Sequence, residues 1–455
     1  MSQENTLEKL SKDRRFGTDG IRGPIETTMN PLFIAKLAWS AGRVLKEEGI
    51  ASSILIGKDT RISGYMLESA LQAGFISSGM NVTLLGPLPT PAVAYLAKSN
   101  NQAGVVISAS HNSFEDNGLK FFNKDGYKIS SSIEKKIEQK YSQPIKVVEA
   151  INLGKAERLS DAKGRYIEFC KSSTPNLDLS GVSLVLDCAN GSAYSVAPKI
   201  FTELGAKVTP IAVEPDGINI NEKCGSTNPQ LLQETVIATR STMGIAFDGD
   251  GDRLLVVDSK GRILDGDDLL YTLILSNITR KKEEFLSTGV VGTLMTNKAL
   301  EVFLKEQGVG FTRTDVGDKF ILEELIRKNW ILGGEPSGHI ICLDSTTTGD
   351  AIVAALSVLD SVKEFDFNIH KVLKPFKKFP QKLINLQIKS PQTVMMDTQV
   401  RQAVGDMESS LGSNGRVLIR PSGTEPLIRI MVEANNLELA NNSALKLANL
   451  FSRLG

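Results

Sequence analysis

Gly104 to Tyr127 reads G-V-V-I-S-A-S-H-N-S-F-E-D-N-G-L-K-F-F-N-K-D-G-Y. Val105 to Ile107 is apolar and β-branched, the pattern of a short buried strand. It stops abruptly in small and polar residues, so Ser108 to Asn112 form a loop at the strand's carboxyl end, where open α/β sheets bind ligands. Asn117-Gly118 turns the chain, Leu119 to Phe122 is a second apolar run carrying Lys120, and Asp125-Gly126 turns it again. One loop thus offers a hydroxyl (Ser110), an imidazole (His111) and, from the next strand, an ammonium. A Ser/Asn-rich turn beside a surface lysine has the same composition, so the rest of the chain has to decide.

Outward from this stretch, one unit occurs three times. The first copy has strands at Ile54–Ile56, Val82–Leu85 and Val105–Ile107, with helices between them, and ends in the serine loop. The second has strands at Leu184–Leu186, Lys207–Val213 and Gly244–Phe247, and ends in D-G-D-G-D-R. The third has strands at Val290–Val291, Phe311–Arg313 and Trp330–Leu332, and ends in G-G-E-P-S-G-H. After each loop comes a short apolar strand and a turn. Strands alternating with helices predict a mostly parallel sheet in each unit. A helix is expected over Pro31 to Glu48, between Pro31 and Gly49. Basic residues from Lys371 to Lys378 read as a linker. Beyond it, strands at Arg416–Arg420 and Leu427–Ala434 and a closing helix over Glu438–Leu454 predict a small α+β domain. The expected boundaries are 14–160, 161–258, 259–372 and 373–455, after a polar arm over residues 1–13.

The chain has 455 residues, 41% of them hydrophobic, with 52 basic against 52 acidic side chains. That is enough for several cored domains, and the balanced charge argues against nucleic acid or membrane as the main partner. An anionic ligand must therefore be met by local arginines and lysines. The four cysteines (Cys170, Cys188, Cys224, Cys342) form no C-x-x-C pair, as expected in a reducing compartment. The charged N-terminus does not read as a signal peptide, and no apolar run approaches the ~18 residues of a membrane span. A cytoplasmic protein is expected.

Asp248, Asp250 and Asp252 alternate with glycines that let the backbone curl until the carboxylates converge. Oxygen ligands of this kind suit Mg²⁺ or Ca²⁺. An EF-hand needs glycine at loop position six and glutamate at twelve, where this chain has Arg253 and Ser259. Three carboxylates at a buried strand end would repel one another without a cation. Glu335, Ser337 and His339 suit the hydroxyls of a sugar, although an ordinary turn could also carry them. Arg420-Pro421-Ser422-Gly423-Thr424-Glu425-Pro426 combines a guanidinium, hydroxyls and free backbone N–H groups, a nest for phosphate, with Arg429 as a second guanidinium; the alternative is a plain hairpin turn. R-R-F-G-T-D-G-I-R-G brings Arg22, with Arg15 as an alternative, near the first sheet. No dinucleotide or P-loop signature is present. A serine hydrolase is not expected, because Ser110 lacks the G-x-S-x-G elbow and His111, its neighbour, is expected to point away from it.

The motifs G-T-D-G-I-R-G, S-A-S-H-N, D-N-G-L-K-F-F, D-G-D-G-D-R, G-E-P-S-G-H and R-P-S-G-T-E-P occur in the order seen in the α-D-phosphohexomutase superfamily, and the chain resembles that superfamily from end to end after residues 1–13. S-G-T-E-P and G-T-D-G-I-R-G look more like its phosphoglucosamine mutase branch than its phosphomannomutase/phosphoglucomutase branch. Ser113 stands where the family commonly has proline, and Pro336 where the glucosamine branch commonly has glutamine.

The resemblance implies three similar mixed-sheet α/β domains and a smaller C-terminal α+β domain around a central cleft. In chain order these carry the phosphoserine, the metal, the sugar and the phosphate sites. It implies interconversion of glucosamine 6-phosphate and glucosamine 1-phosphate, supplying UDP-N-acetylglucosamine and cell-wall synthesis. Ser110 would carry the phosphoryl group, and one Mg²⁺ held by Asp248, Asp250, Asp252 and the Ser110 phosphate would offset its charge. A hexosamine 1,6-bisphosphate would be the intermediate and activator. Lys120, or Lys120 with His111, would take the hydroxyl proton. Arg22 and Arg253 would stabilise the transferring group. Glu335, Ser337 and Lys319 would hold the sugar, His339 would assist as acid/base, and Arg420, Ser422, Gly423, Thr424 and Arg429 would grip the idle phosphate. Alternatives are a phosphomannomutase/phosphoglucomutase, a Mg²⁺-dependent sugar phosphatase, or a silent sugar-phosphate-binding protein. The resemblance leaves a homodimer open.

Overall fold

The computed structural model describes residues 15–388, 390–421 and 427–454. Its strands are β1 (Ile21–Pro24), β2 (Ser53–Lys58), β3 (Asn81–Pro87), β4 (Ala103–Ile107), β5 (Asp116–Phe122), β6 (Ala156–Arg158), β7 (Ser183–Asp187), β8 (Lys207–Ile211), β9 (Met243–Phe247), β10 (Leu254–Asp258), β11 (Ile263–Leu264), β12 (Gly289–Thr293), β13 (Gly310–Thr314), β14 (Leu332–Gly334), β15 (Ile340–Cys342), β16 (Gln381–Gln387), β17 (Gly415–Pro421) and β18 (Leu427–Ala434). They form four sheets, ordered β1-β5-β4-β2-β3-β6, β11-β10-β9-β7-β8, β13-β12-β14-β15 and β16-β18-β17.

The repeat read from sequence is present in space. β5-β4-β2-β3, β10-β9-β7-β8 and β15-β14-β12-β13 are one arrangement in three copies. In each, the first strand of the unit pairs in parallel with the second and third. The fourth returns antiparallel beside the third. Each chemistry-bearing loop is therefore the turn of a hairpin at the carboxyl end of a central strand. β4 and β9 are buried along their whole length, which is why they read as unbroken apolar runs rather than alternating ones.

Helix boundaries follow their caps. Asn30 accepts a hydrogen bond from Phe33 N at 3.0 Å, Pro31 opens the helix Pro31–Glu47, and Gly49 follows it at φ 67°. Asp265 and Asp268 make a capping box at the start of helix Gly266–Thr279.

The first three units share one continuous core, in which Leu55, Val93, Tyr166, Phe247, Leu270, Val290 and Leu356 all take part. The fourth domain has its own core around Val432, Ala444 and Phe451. Its joint with the third domain is polar. Arg416 donates to Leu294 O at 2.6 Å and to Thr296 O at 2.9 Å, and the buried Glu433 carboxylate accepts from Lys298 N at 3.0 Å and from Arg416 Nε.

Three expectations shift. The third strand of the third unit is Leu332–Gly334 rather than Trp330–Leu332, because Gly333 and Gly334 lie flat in the sheet despite their low strand propensity. The second sheet runs past residue 258, since β11 pairs with β10. The basic stretch after residue 372 is no linker: Tyr271 stacks on Phe376 at 4.3 Å, and Lys378 binds Asp268 at 2.6 Å. Lysines masked the two aromatic anchors there, Phe376 and Phe379.

Among the hydrogen bonds that tie the second unit to the third, one joins two buried side chains. Tyr166, wholly buried, donates to Asp350 Oδ2 at 2.9 Å, while Asp350 Oδ1 caps helix Ala351–Val362. Burial pushes the Asp350 carboxyl up to about 6 against these hydrogen bonds. Tyr166→Phe removes the donor and should lower stability by about 1.5–3 kcal/mol, read as a lower thermal midpoint. An unchanged melt would mean that the bond adds nothing to the seam.

Candidate active site

Four loops meet at one cleft. Its wall of about 420 Å³ is lined by Arg15, Asp19, Arg22, Asp252, Arg253, Asp318, Glu335 and His339, with the backbone of Gly17–Gly20 and Val316–Gly317. The side chains come from the N-terminal loop, from the hairpin turns of the second and third units and, for Asp318, from the start of the helix Asp318–Lys328, while Ser110 and Lys120 lie buried beside them.

Ser110 sits at φ 54°, in the left-handed region that non-glycine residues avoid. This kink directs Oγ to Asp248 Oδ2 at 2.5 Å and leaves His111 Nδ1 3.3 Å from the same oxygen. The expectation that His111 points away is therefore corrected: the backbone kink puts two consecutive side chains on one side. Burial, together with the nearby Arg253 and Arg22 guanidinium groups, pushes the His111 imidazole down to about 4, so it is neutral at pH 7.

The three aspartates converge as the spacing predicts, with one carboxylate oxygen of each within 4.8 Å of the others. All three are buried. Asp248 Oδ1 accepts from the backbone N–H of Asp252 and Arg253, both at 3.1 Å. Thr90 Oγ1 donates to Asp250 Oδ2 at 2.6 Å, and Thr90 N to Asp250 O at 2.8 Å. Lys120 Nζ reaches Asp250 Oδ2 at 2.8 Å and Asp252 Oδ2 at 2.9 Å. The other oxygens, Asp250 Oδ1 and Asp252 Oδ1, are buried without a hydrogen-bond partner. Buried unpaired carboxylate oxygens are costly. A hard divalent cation fits this all-oxygen donor set. Burial and the repulsion of Asp252 and Asp250 hold the Asp248 carboxyl well above its usual range, the shift expected where a cation's charge is owed.

Sequence reasoning missed how Lys120 is held. It is 1% exposed and also meets Asp19 Oδ2 at 3.1 Å. Burial opposes its charge, but Asp19, Asp250 and Asp252 outweigh burial and hold the ammonium well above its usual range. Lys120 is thus held as an ammonium among three carboxylates. Asp19 in turn binds Lys128 Nζ at 2.6 Å, and Lys128 pairs with Asp318 of the third unit. His339 closes the ring, with Nδ1 3.8 Å from Asp252 Oδ1 and Nε2 3.8 Å from Asp318 Oδ2. Burial opposes its protonation, yet Asp252, Asp318 and Glu335 raise it.

Arg22 binds Asp19 and Ala109 O, and Arg253 lies 4.0 Å from Asp252; each keeps a buried Nε–H unpaired at the cleft. Glu335 accepts from Gly317 N at 2.8 Å and from Ser337 Oγ at 3.0 Å. The loop is pinned to the second unit where Leu254 N donates to Gly338 O at 3.1 Å. Gly338 has φ 89°, and a Cβ there would lie 1.9 Å from Leu254 O. Lys319 pairs with Glu134 at 2.8 Å and lines a neighbouring cavity that shares Arg15, Gly17 and Thr18 with the cleft. Ser422, Gly423 and Thr424 lie outside the described residues. Arg420 and Arg429 face each other across β17 and β18 but are not part of the cleft wall.

The chain matches four family models: phosphoglucomutase/phosphomannomutase alpha/beta/alpha domain I over residues 13–147, domain II over 164–261, domain III over 265–379, and the C-terminal domain over 383–450. It is 49% identical over 448 residues to a phosphoglucosamine mutase of Legionella pneumophila (strain Corby), covering 98% of each chain. To that of Vibrio cholerae serotype O1 (strain M66-2) it is 50% identical over 440 residues, 96% of this chain and 98% of the relative. Among solved structures, a phosphoglucomutase/phosphomannomutase family protein of Burkholderia thailandensis shares the fold at TM-score 0.81 and 22% identity, over 97% of this chain and 98% of the other. The order of the loops, the three-copy sheet and these matches agree: the chain belongs to the phosphoglucomutase/phosphomannomutase family and, within it, to the phosphoglucosamine mutases, which are isomerases.

Proposed function

We propose that the chain interconverts glucosamine 6-phosphate and glucosamine 1-phosphate through a phosphoserine at Ser110 and a glucosamine 1,6-bisphosphate, in the cytoplasm, supplying UDP-N-acetylglucosamine and cell-wall synthesis. The observation that carries this reading is the buried Ser110 hydroxyl, 2.5 Å from Asp248 at the meeting of two hairpin turns. The near 50% identity to phosphoglucosamine mutases supports the choice of sugar.

In the first half-reaction the phosphoryl group leaves Ser110 Oγ. The O–P bond to serine breaks, one to a sugar hydroxyl forms, and the hydroxyl's proton ends on Ser110 Oγ. The neutral imidazole of His111 is suited to carry that proton. The bisphosphate then reverses, and its other phosphate returns to Ser110. Asp248, Asp250 and Asp252 would hold Mg²⁺, which when bound offsets charge on the phosphoryl oxygens. Arg22 and Arg253 line the cleft beside the metal turn and suit developing charge there. Glu335, fixed by Gly317 N and Ser337, suits sugar hydroxyls in both orientations, and His339 supports the acidic wall behind it.

Directly opposed like charges on paired strands are destabilising, so the Arg420–Arg429 pair gains by binding an anion. That favours a clamp for the idle phosphate over a phosphatase, which needs none. The loop residues Ser422, Gly423 and Thr424 would complete the clamp.

Peptide mass spectrometry should find phosphate on Ser110, and Ser110→Ala should abolish turnover; near-normal activity in that variant would end the mechanism. Asp250→Asn should weaken Mg²⁺ binding and activity together while the fold persists. A thermal shift with Mg²⁺ equal to that of the unsubstituted enzyme would remove Asp250 from the metal site. Arg420→Ala loses a charge-assisted contact of about 1.5–3 kcal/mol, so kcat/KM should fall on the order of ten- to a hundred-fold with phosphoserine content unchanged. An unchanged kcat/KM would leave the loop a simple hairpin turn.

A further inference from the structure

The kink at Ser110 needs an explanation, because a non-glycine residue in the left-handed region relaxes unless its surroundings hold it. Two side chains from different domains grip the same two carbonyls. Arg61 Nη2 donates to Ser110 O at 3.0 Å and to Asn112 O at 2.9 Å, and Nη1 donates to Ser113 O. From the second domain, Asn221 Nδ2 donates to Ser110 O at 2.9 Å and to Asn112 O at 3.0 Å. Neither residue belongs to the metal, sugar or phosphate groups described above.

The grip is itself braced. Arg61 is 1% exposed, and its Nε donates to Asp59 Oδ2 at 2.8 Å. The same carboxylate oxygen accepts from Ser108 Oγ at 2.6 Å, and Ser108 Oγ accepts from Ser110 N at 2.9 Å. Both the N–H and the C=O of Ser110 are therefore tied to the Asp59–Arg61 pair. A guanidinium fork suits this task, since its donors lie in one plane at fixed spacing. Asn221 sits at φ 60°, and its own N–H donates to Ala189 O at 2.8 Å. Gly249 approaches from the metal turn, where a Cβ would lie 2.5 Å from Ser110 O. The turn after the first strand of the first unit thus fixes the serine backbone from within. Asn221, in the loop after β8 and bonded through its N–H to Ala189 O in the corresponding turn of the second unit, fixes it from across the interface.

We propose that Arg61 and Asn221 are positioning residues that hold the Ser110 backbone in its left-handed conformation and so keep Oγ aligned for phosphoryl transfer in both half-reactions. The inference rests on Ser110 being the phosphoryl carrier. Neither side chain lines the cleft, so their loss should reduce alignment rather than substrate binding.

The test uses Asn221→Ala and Arg61→Lys in the full-length enzyme. Asn221 is only half-buried, so it remains informative if Arg61→Lys does not fold. With glucosamine 6-phosphate, Asn221→Ala should lower kcat by about ten-fold and leave KM within about two-fold, at a temperature well below its melting point. Amide exchange of a peptide spanning residues 108–114, read by mass spectrometry, should speed up by about ten-fold while peptides elsewhere keep their rates. Unchanged exchange in that peptide overturns the inference, whatever the activity. So does unchanged kcat with faster exchange, because the loop's order would then not serve the chemistry. If the unsubstituted enzyme carries no phosphate on Ser110, the mutase reading fails and the alignment inference fails with it, even if the exchange result shows the grip itself to be real.

Discussion

The Lys120 ammonium is the constraint on which the cleft depends. It is buried and meets carboxylates of the N-terminal loop and the metal turn at 2.8 to 3.1 Å. A buried charge is tolerated only when paired, and here one cation is shared among three anions. Asp19 carries the pairing on to Lys128, and Lys128 to Asp318, so the first and third units are joined through charge as well as through apolar core. Removing Lys120 would leave the buried Asp250 and Asp252 oxygens that it meets uncompensated. The same arrangement occupies one oxygen each of Asp250 and Asp252 and leaves the other for a cation.

The metal turn is the keystone of the three-unit body. Thr90 of the first unit binds Asp250, Leu254 N binds Gly338 of the third, and Ala351 N donates to Gly251 O at 3.1 Å. Its glycines serve closeness as much as curvature: at Gly249 a side chain would meet Ser110 O, and at Gly251 it would press on Pro89. The fourth domain stands apart, with its own core and a polar joint built on Arg416 and Glu433.

The loops were legible because their chemistry is local. Three aspartates at alternate positions, or a hydroxyl and an imidazole after a buried strand, carry meaning within a few residues. The repeat was legible because fully buried central strands read as apolar runs. What escaped were single residues whose meaning comes from contact across long separations. Lys128 and Asp318 are 190 residues apart, and Asn221 lies 111 from Ser110. Nothing in K-D-T-R marks Arg61 as wholly buried, since arginine is seldom so. His111 was misjudged because neighbouring side chains usually diverge, and only the left-handed Ser110 reverses this.

The antiparallel fourth strand of each unit has a further consequence. A loop between a strand and a crossover helix has one end free to swing with that helix. These three loops are spanned on both sides by ladder pairing, Ile107 opposite Leu119, Phe247 opposite Leu254, and Gly334 opposite Ile340. They are short bridges between fixed abutments and have little slack of their own. What these three loops present to the cleft is therefore set by the pairing of whole strands and by how the units that carry those strands sit against one another.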